Sequence, residues 1–401
     1  MNNTSKMEKN LRKLMKYENE GDNTVNMKTE NDNIINMKME NDNIINMENI
    51  LTMSNPQLIG LLTSSGKEQE ELFRQARNIR HQYLGDEITL RGVIEISNIC
   101  QKSCDFCAMR CNNKSLKRFR LDTENIIKTA KNIIDIGINT VFIQSGQDPC
   151  CDEILEEVIP PIANDLGADI ILNVGERSKE IYKWYFQLGA KGFILKYETS
   201  DPELYENIAH EPLDERIQCA NWIRDAGMKI GTGNIIGLPH QSLESLASDI
   251  RLTLTLKPDF ASTSPFIPNK VTPLENEPLG NLDLALNTIS ILRIGLKNAL
   301  IPAVSALEYI RKEGQLLGLN AGANVLTINF TPKSYRENYN IYNKDRFIVS
   351  IDHAINTAKK AGFKINSKML EMISPKITML LLTLTLFHVL KLLRVFEFFI
   401  N

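Results

Sequence analysis

Cys100, Cys104 and Cys107 stand in the string Asn98-Ile-Cys-Gln-Lys-Ser-Cys-Asp-Phe-Cys107. Three thiolates at this C-x3-C-x2-C spacing can each hold a different iron of a [4Fe–4S] cluster and leave the fourth iron without a protein ligand. An open iron can take a small molecule. Zinc is a second possibility, with Cys111 as the fourth thiol, but structural zinc sites usually draw on two separated pairs. Here all four would crowd into one loop. A disulfide framework does not suit 401 residues with seven cysteines. The five histidines (81, 210, 240, 353 and 388) show no metal-ligand spacing and read as structural or solvated.

The elements around this string must position it. The cysteines directly follow an alternating run, Thr89–Ser97. Further strand-like runs cover Asn139–Gln144, Asp169–Val174, Gly192–Tyr197, Met228–Ile235, Phe260–Ser264, Ile301–Ala306 and Asn324–Ile328. Amphipathic stretches between them predict helices over Thr123–Ile136, Asp152–Leu166, Lys179–Leu188, Leu213–Ala226, Leu243–Leu256 and Leu282–Gly295. Eight strands with helical crossovers predict an α/β fold, a parallel (β/α)8 TIM-type barrel. In such barrels chemistry gathers at the C-terminal ends of the strands. The cysteines lie at the end of the first. Other strand ends also turn polar, at Gln144-Ser-Gly-Gln-Asp148, Asn173-Val-Gly-Glu176 and Lys196-Tyr-Glu-Thr199.

The organisation read from the chain is a low-complexity segment at 1–50, N-terminal helices at 51–88, the barrel at 89–330, a closing segment at 331–375 and an apolar tail at 376–401. Residues 22–50 repeat Asn-Met at a period of ten and are too polar to build a core. The tail is shorter than the roughly 20 apolar residues of a spanning helix. Membrane attachment through it is not the expectation. The start, Met1-Asn-Asn-Thr-Ser-Lys-Met, lacks the apolar stretch of an export signal, so a cytoplasmic protein with reduced cysteines is expected. A formal net charge of −3 offers no field for nucleic acid.

The cysteine string, with an aromatic residue before its third cysteine, resembles the signature of the radical S-adenosylmethionine (SAM) superfamily. Further strings point to its biotin-synthase-like branch: Arg80-His-Gln-Tyr-Leu-Gly85, Asn113-Lys-Ser-Leu-Lys-Arg-Phe-Arg120, Gln144-Ser-Gly146, Glu198-Thr199, Gly237-Leu-Pro239, Pro265-Phe-Ile-Pro268, Ile301-Pro-Ala303 and Asn320-Ala-Gly-Ala-Asn324. Within that branch the chain looks most like the HydE maturases of [FeFe]-hydrogenase, and next like the methylornithine synthases. The resemblance runs from about Leu51 to Phe363. It implies one [4Fe–4S] cluster on Cys100, Cys104 and Cys107, with SAM on the open iron. It implies SAM contacts at Glu198 and Arg216, at the turn Gln144, Ser145 and Gly146, at Asn173, and at Phe106 beside the adenine. Lys196 and Ser305 fall on the substrate side. Gln147 departs from the family pattern, which usually has an acid there. Lys196 departs too, since the hydrogenase maturases carry arginine.

The resemblance also implies a reaction. The reduced cluster passes an electron to SAM, methionine leaves, and a 5′-deoxyadenosyl radical attacks a small-molecule or organometallic substrate in the barrel. A flavodoxin or ferredoxin is implied as electron donor, with other maturases as further partners. A non-catalytic cluster-binding or zinc-binding barrel is the competing expectation. No cysteine follows Cys219 and none falls in the second to fifth strands. A C-terminal auxiliary cluster and sulfur insertion are therefore not expected, and the pair Cys150-Cys151 is left without a cluster role. The prediction is one cluster: a fully reconstituted sample should carry about four irons per chain, measured by iron quantitation, and a value near eight would overturn it.

Overall fold

The computed structural model describes residues 46–342, 345–367 and 369. Most of the Asn-Met repeats and the apolar tail at 376–401 lie outside them. The body already includes the helix Met47–Thr52, capped by the Asn46 side chain, with Ile50 fully buried. Among the described residues no helix is long and apolar enough to cross a membrane.

Seven strands form one parallel sheet: β1 (Thr89–Ser97), β2 (Thr140–Ser145), β3 (Asp169–Asn173), β4 (Ala190–Ile194), β5 (Lys229–Ile236), β6 (Phe260–Pro265) and β7 (Val325–Asn329). Their order is β6-β5-β4-β3-β2-β1-β7. The predicted strand over Ile301–Ala306 does not form. Pro302 has no N–H to donate, which removes a ladder bond, and a helix already begins at Ser305. The eighth place is filled more sparingly. Leu300 bridges to Phe260 on β6 and Pro302 bridges to Val325 on β7. Those two bridges join the edges of the sheet, so the predicted barrel closes through an irregular segment.

Strand alternation puts two kinds of side chain on the two faces. Outward residues such as Ile94, Ile96, Val141, Ile143, Ile170 and Leu172 are buried against the helices. Inward, Val93, Phe142, Ile171, Ile194 and Phe260 pack together with Leu300 across the lumen. This apolar layer is the floor on which the polar strand ends stand.

The crossover helices fall close to their predicted spans, Lys179–Leu188 and Leu243–Leu256 on them. The helix predicted over Asp152–Leu166 is an α-helix over Cys151–Pro160 followed by a π turn over Pro161–Asp165. Two adjacent prolines lack N–H groups, so the ladder widens there. The helix Leu282–Leu296 is buried along most of its length, beneath Gly66–Leu84. Its Arg293 is wholly buried. Nε donates to Gly322 O at 2.8 Å, Nη1 to Lys297 O at 2.7 Å and Ala299 O at 2.8 Å, and Nη2 to Asn324 Oδ1 at 2.8 Å. Asn324 Oδ1 also accepts Ile301 N at 2.9 Å. One guanidinium thus gathers the backbone on both sides of the sparse closure. Arg293→Met keeps the bulk and strands these carbonyls. It should cost about 3 kcal/mol or more of stability, read from denaturant unfolding. A loss below about 1 kcal/mol would show that the closure does not depend on Arg293.

Candidate active site

The cysteines sit on an excursion that leaves β1 and returns to it. Ser97 bridges Arg120 in antiparallel sense, and Leu121 N donates to Ile96 O at 2.7 Å. The base is locked by Asp148, which is fully buried. Its carboxylate accepts Ser97 Oγ at 2.5 Å and two bonds from Arg120, at 2.7 and 2.8 Å. Burial pushes this carboxyl up, and the bonds from Arg120 and Ser97 more than offset that, holding it below the usual range. Arg118 supports the excursion from within, donating to the carbonyls of Asn98, Met109, Arg110 and Asn113. Asn98 does likewise, bonding Lys117 O, Phe119 N and Asn338 O.

The excursion rests on the turn after β2. Gln101 N donates to Gln147 O at 3.0 Å, and Gly146 N to Ser97 O at 3.0 Å. A Cβ on Gly146 would lie 2.2 Å from Ile99 O and 2.9 Å from Cys100 Cβ. No other residue fits that approach. Gln147 reaches on to the next strand end, accepting Glu176 N at 3.0 Å.

All three cysteines are free and partly exposed. Enough protein surrounds Cys104 that desolvation pushes its thiol up to about 12, with Arg216 opposing and Cys100 adding. Desolvation raises Cys107 further still, helped by Cys100 and Cys104. Such thiols ionise only against a cation, which cluster iron supplies. Among the described residues no three His, Cys, Asp or Glu side chains converge on one metal ion. Ligands to three separate irons of a cubane need not converge on a point.

Behind the cysteines lies a lumen of about 260 Å³. Glu95, Gln144 and Asn173 stand at paired register positions on β1, β2 and β3. With Phe106, Cys107, Lys196, Glu198 and Ser305 they line this cavity. Glu95 is buried and meets Arg346 at 2.7 Å. Lys196 lies 2.9 Å from Glu198 Oε2, but outside hydrogen-bonding alignment, so that oxygen is a buried acceptor without a donor. Arg91, two inward positions below Glu95 on β1 and beyond Val93, donates from Nε to Thr327 Oγ1 at 2.7 Å and lies 4.5 Å over the Phe142 ring. Desolvation alone acts on it, lowering its pKa to about 10. Ile341, Tyr342, Phe347 and Val349 of the closing segment complete the lining.

Arg216 lies beside Cys104, on the helix Leu213–Asp225. Its Nε donates to Tyr205 Oη at 2.8 Å and lies 3.3 Å from Glu176 Oε1. Glu176 also pairs with Lys102 at 2.7 Å, and Lys102 with Glu211. This chain of charges straps the cysteine loop to the turn after β3 and to the first turn of the helix Leu213–Asp225. Glu198 has φ of +64°, a left-handed conformation costing a non-glycine residue roughly 1–3 kcal/mol. It holds through its own backbone, with N donating to Gly233 O at 3.1 Å and O accepting Ile235 N at 2.8 Å.

The expected residues divide accordingly. Phe106, Cys107, Gln144, Asn173, Lys196, Glu198 and Ser305 face one lumen. Cys100, Cys104 and Arg216 adjoin it through the loop. Ser145 turns away: its Oγ donates to Gly146 O at 2.6 Å and lies 3.5 Å from Cys151 Sγ. Only its backbone is left for a ligand. Gly146 acts as a seat for the cysteine loop. Glu95, Arg91, Arg346, Tyr342 and Asp148 were not singled out from sequence as site residues. Arg91 and Glu95 left a signal, because charges at alternating positions of a core strand must face inward.

The comparisons agree with this geometry. Residues 94–253 match the model of the radical SAM superfamily. The chain is 34% identical over 275 residues to the [FeFe] hydrogenase maturase subunit HydE of Thermotoga maritima, covering 68% of this chain and 79% of that protein. It is 31% identical over 299 residues to the 3-methylornithine synthase of Methanosarcina barkeri, covering 73% and 84%. The chain belongs to the radical SAM superfamily. The crystal structure of methylornithine synthase (PylB) superposes with a TM-score of 0.70 at 27% identity, over 80% of this chain and 97% of that one. The protein is a radical SAM enzyme whose cofactors are a [4Fe–4S] cluster and SAM. The residues fit both: three adjacent thiols, a guanidinium beside them and an orphaned buried carboxylate oxygen at the lumen wall.

Cys104→Ala, or loss of either other cysteine of the triad, should remove most iron and all SAM cleavage. Cys111→Ala should keep both, since its Sγ bonds only its neighbour Asn112. Gly146→Ala should behave like the triad variants, by displacing Ile99 and Cys100. Iron content and the cluster absorbance check all of these, and wild-type iron in Cys104→Ala would refute the ligand assignment.

Proposed function

We propose that this enzyme acts on a small substrate bearing an anionic group, as a HydE-like maturase in [FeFe]-hydrogenase assembly. The supporting observation is the charge inventory of the lumen. Among the described residues three cations (Arg91, Lys196, Arg346) and two carboxylates (Glu95, Glu198) line it. Arg346 pairs with Glu95 and Lys196 adjoins Glu198. Arg91 is left over, with its face on Phe142 and no acid beside it. An uncompensated guanidinium in a low-dielectric cavity favours a carboxylate or an anionic metal complex. A diamino acid such as methylornithine carries two ammonium groups against one carboxylate, and this lumen repels the excess. The similarity to the HydE maturase points the same way.

A second reading, methylornithine-like chemistry, is supported by the TM-score of 0.70 to PylB and by the coverage of 97% of its length.

The chain's own groups have distinct tasks. Cys100, Cys104 and Cys107 hold the cluster. Arg216 receives the SAM carboxylate, exchanging Glu176 for it. Glu198 offers its unbonded oxygen to a ribose hydroxyl or the SAM ammonium. Gln144 and Asn173 offer amides from the same layer, and Phe106 gives an apolar wall. When bound, cluster and SAM supply the one-electron chemistry of the superfamily. Lys196, Ser305 and Arg91 orient the substrate, beside the lining residues Tyr342, Phe347 and Val349. A flavodoxin or ferredoxin in the cytosol would donate the electron.

Arg216→Ala should weaken SAM binding about tenfold to a hundredfold, the worth of one charge-assisted bond, with the cluster absorbance intact. Lys196→Ala and Arg91→Met should spare SAM affinity and abortive 5′-deoxyadenosine release yet abolish product. Calorimetry and product analysis read these effects. Formation of 3-methylornithine by the wild-type enzyme would replace the first reading by the second.

A further inference from the structure

Glu198 is the proposed SAM-side carboxylate, and its backbone stands in a conformation that an ordinary residue avoids. Something must hold the turn, and the helix Leu243–Leu256 supplies it. Asp249 on that helix is 0% exposed and lies outside the lumen lining. Its Oδ1 accepts Ser200 N at 2.6 Å. Its Oδ2 accepts Asn234 Nδ2 at 2.9 Å and Gln241 Nε2 at 3.3 Å. Its main-chain carbonyl accepts Tyr197 Oη at 2.7 Å.

These partners are not scattered. Tyr197 is the residue before Glu198, and Ser200 lies two after it. Asn234 is its bridge partner on β5. Gln241 extends the grip, with Oε1 accepting Gly237 N at 2.7 Å and Nε2 donating to Ile235 O at 2.9 Å. Ile235 is the residue whose N–H binds Glu198 O. The residues on both sides of Glu198 and the strand opposite it are therefore tied to one residue, Ser200 and Asn234 to the Asp249 side chain and Tyr197 to its main-chain carbonyl. A carboxylate suits the task because it accepts on both oxygens and offers no donor to clash with three incoming N–H groups.

We propose that Asp249 is a positioning residue: it holds the left-handed turn at Glu198, and through it the carboxylate that meets SAM, without touching SAM itself. The inference rests on the reading that Glu198 contacts SAM, and the experiment separates the two. Four variants of the full chain, each with reconstituted cluster, are compared: Asp249→Ala, Asp249→Asn, Tyr197→Phe and Glu198→Ala. Ile250→Val, a core change on the same helix, controls for lost stability. SAM dissociation constants are measured by calorimetry well below each melting temperature.

Asp249→Ala should weaken SAM binding by about tenfold, the weight of one misdirected charged hydrogen bond. Asp249→Asn should recover most of that, because its oxygen still accepts Ser200 N and Asn234 can turn its own oxygen toward the new amide. Tyr197→Phe, which removes the hydroxyl's bonds to the Asp249 carbonyl and to Thr253 Oγ1, should weaken binding a few-fold and stands in should Asp249→Ala fail to fold. Ile250→Val should lower the melting temperature and leave SAM affinity unchanged. Wild-type affinity in Asp249→Ala or Tyr197→Phe, with Glu198→Ala impaired, would overturn the positioning role alone. An equal loss in Ile250→Val would reduce it to general stability. Unchanged affinity in Glu198→Ala would overturn the SAM contact, and the positioning role with it.

Discussion

The buried carboxylate of Asp148 is the constraint on which the site depends. A cluster-binding loop has no secondary structure of its own to hold it, so its two ends must be fixed from outside. Asp148 does this at one point, taking Ser97 from the outgoing strand and Arg120 from the returning chain. The same turn presents Gly146, whose missing side chain lets the cysteine backbone settle against it. With the base fixed, Arg118 and Asn98 only have to shape what lies between. Without it, three thiols spaced for a cluster would be three thiols on a mobile loop.

A second constraint comes from the lumen. Burying a charge is expensive unless it is paired. Glu95 has Arg346, and Glu198 has Lys196 nearby. The exceptions are the informative places: the Glu198 oxygen that meets Lys196 without an aligned hydrogen bond, and Arg91, which among the described residues has only a threonine and an aromatic face. Together they describe a cavity with one loosely held acceptor and one cation without an acid, at different depths. The apolar layer from Val93 to Leu300 lies between the two, with Arg91 on its far side.

Much of this could be read from the chain. Alternation within Thr89–Ser97 placed the cysteines at a strand end, and the 3.6-residue periodicity located the helices to within a few residues. The departures were local. Pro302 broke a run that looked like a strand, and two sparse bridges took its place. Ser145 shared a string with Gln144, yet neighbouring strand residues face opposite ways, so only one of them reaches the lumen. The period of two that makes a strand recognisable also divides its residues between two environments.

The sequence by itself determined the chemistry on offer: which thiols, at what spacing, after which strand, in what order of elements. Those are local properties, written in neighbouring residues. Only the tertiary structure decided which charges were left over. Glu176 meets Arg216, Glu95 meets Arg346 and Asp249 meets Ser200 across tens to hundreds of residues. A charge in a sequence is merely polar. Whether it is neutralised depends on what the barrel folds against it in a medium where an unpaired charge is costly. Among the charges lining the lumen, Arg91 is distinguished by having no oppositely charged partner among the described residues, and no pattern in its own strand could have shown that.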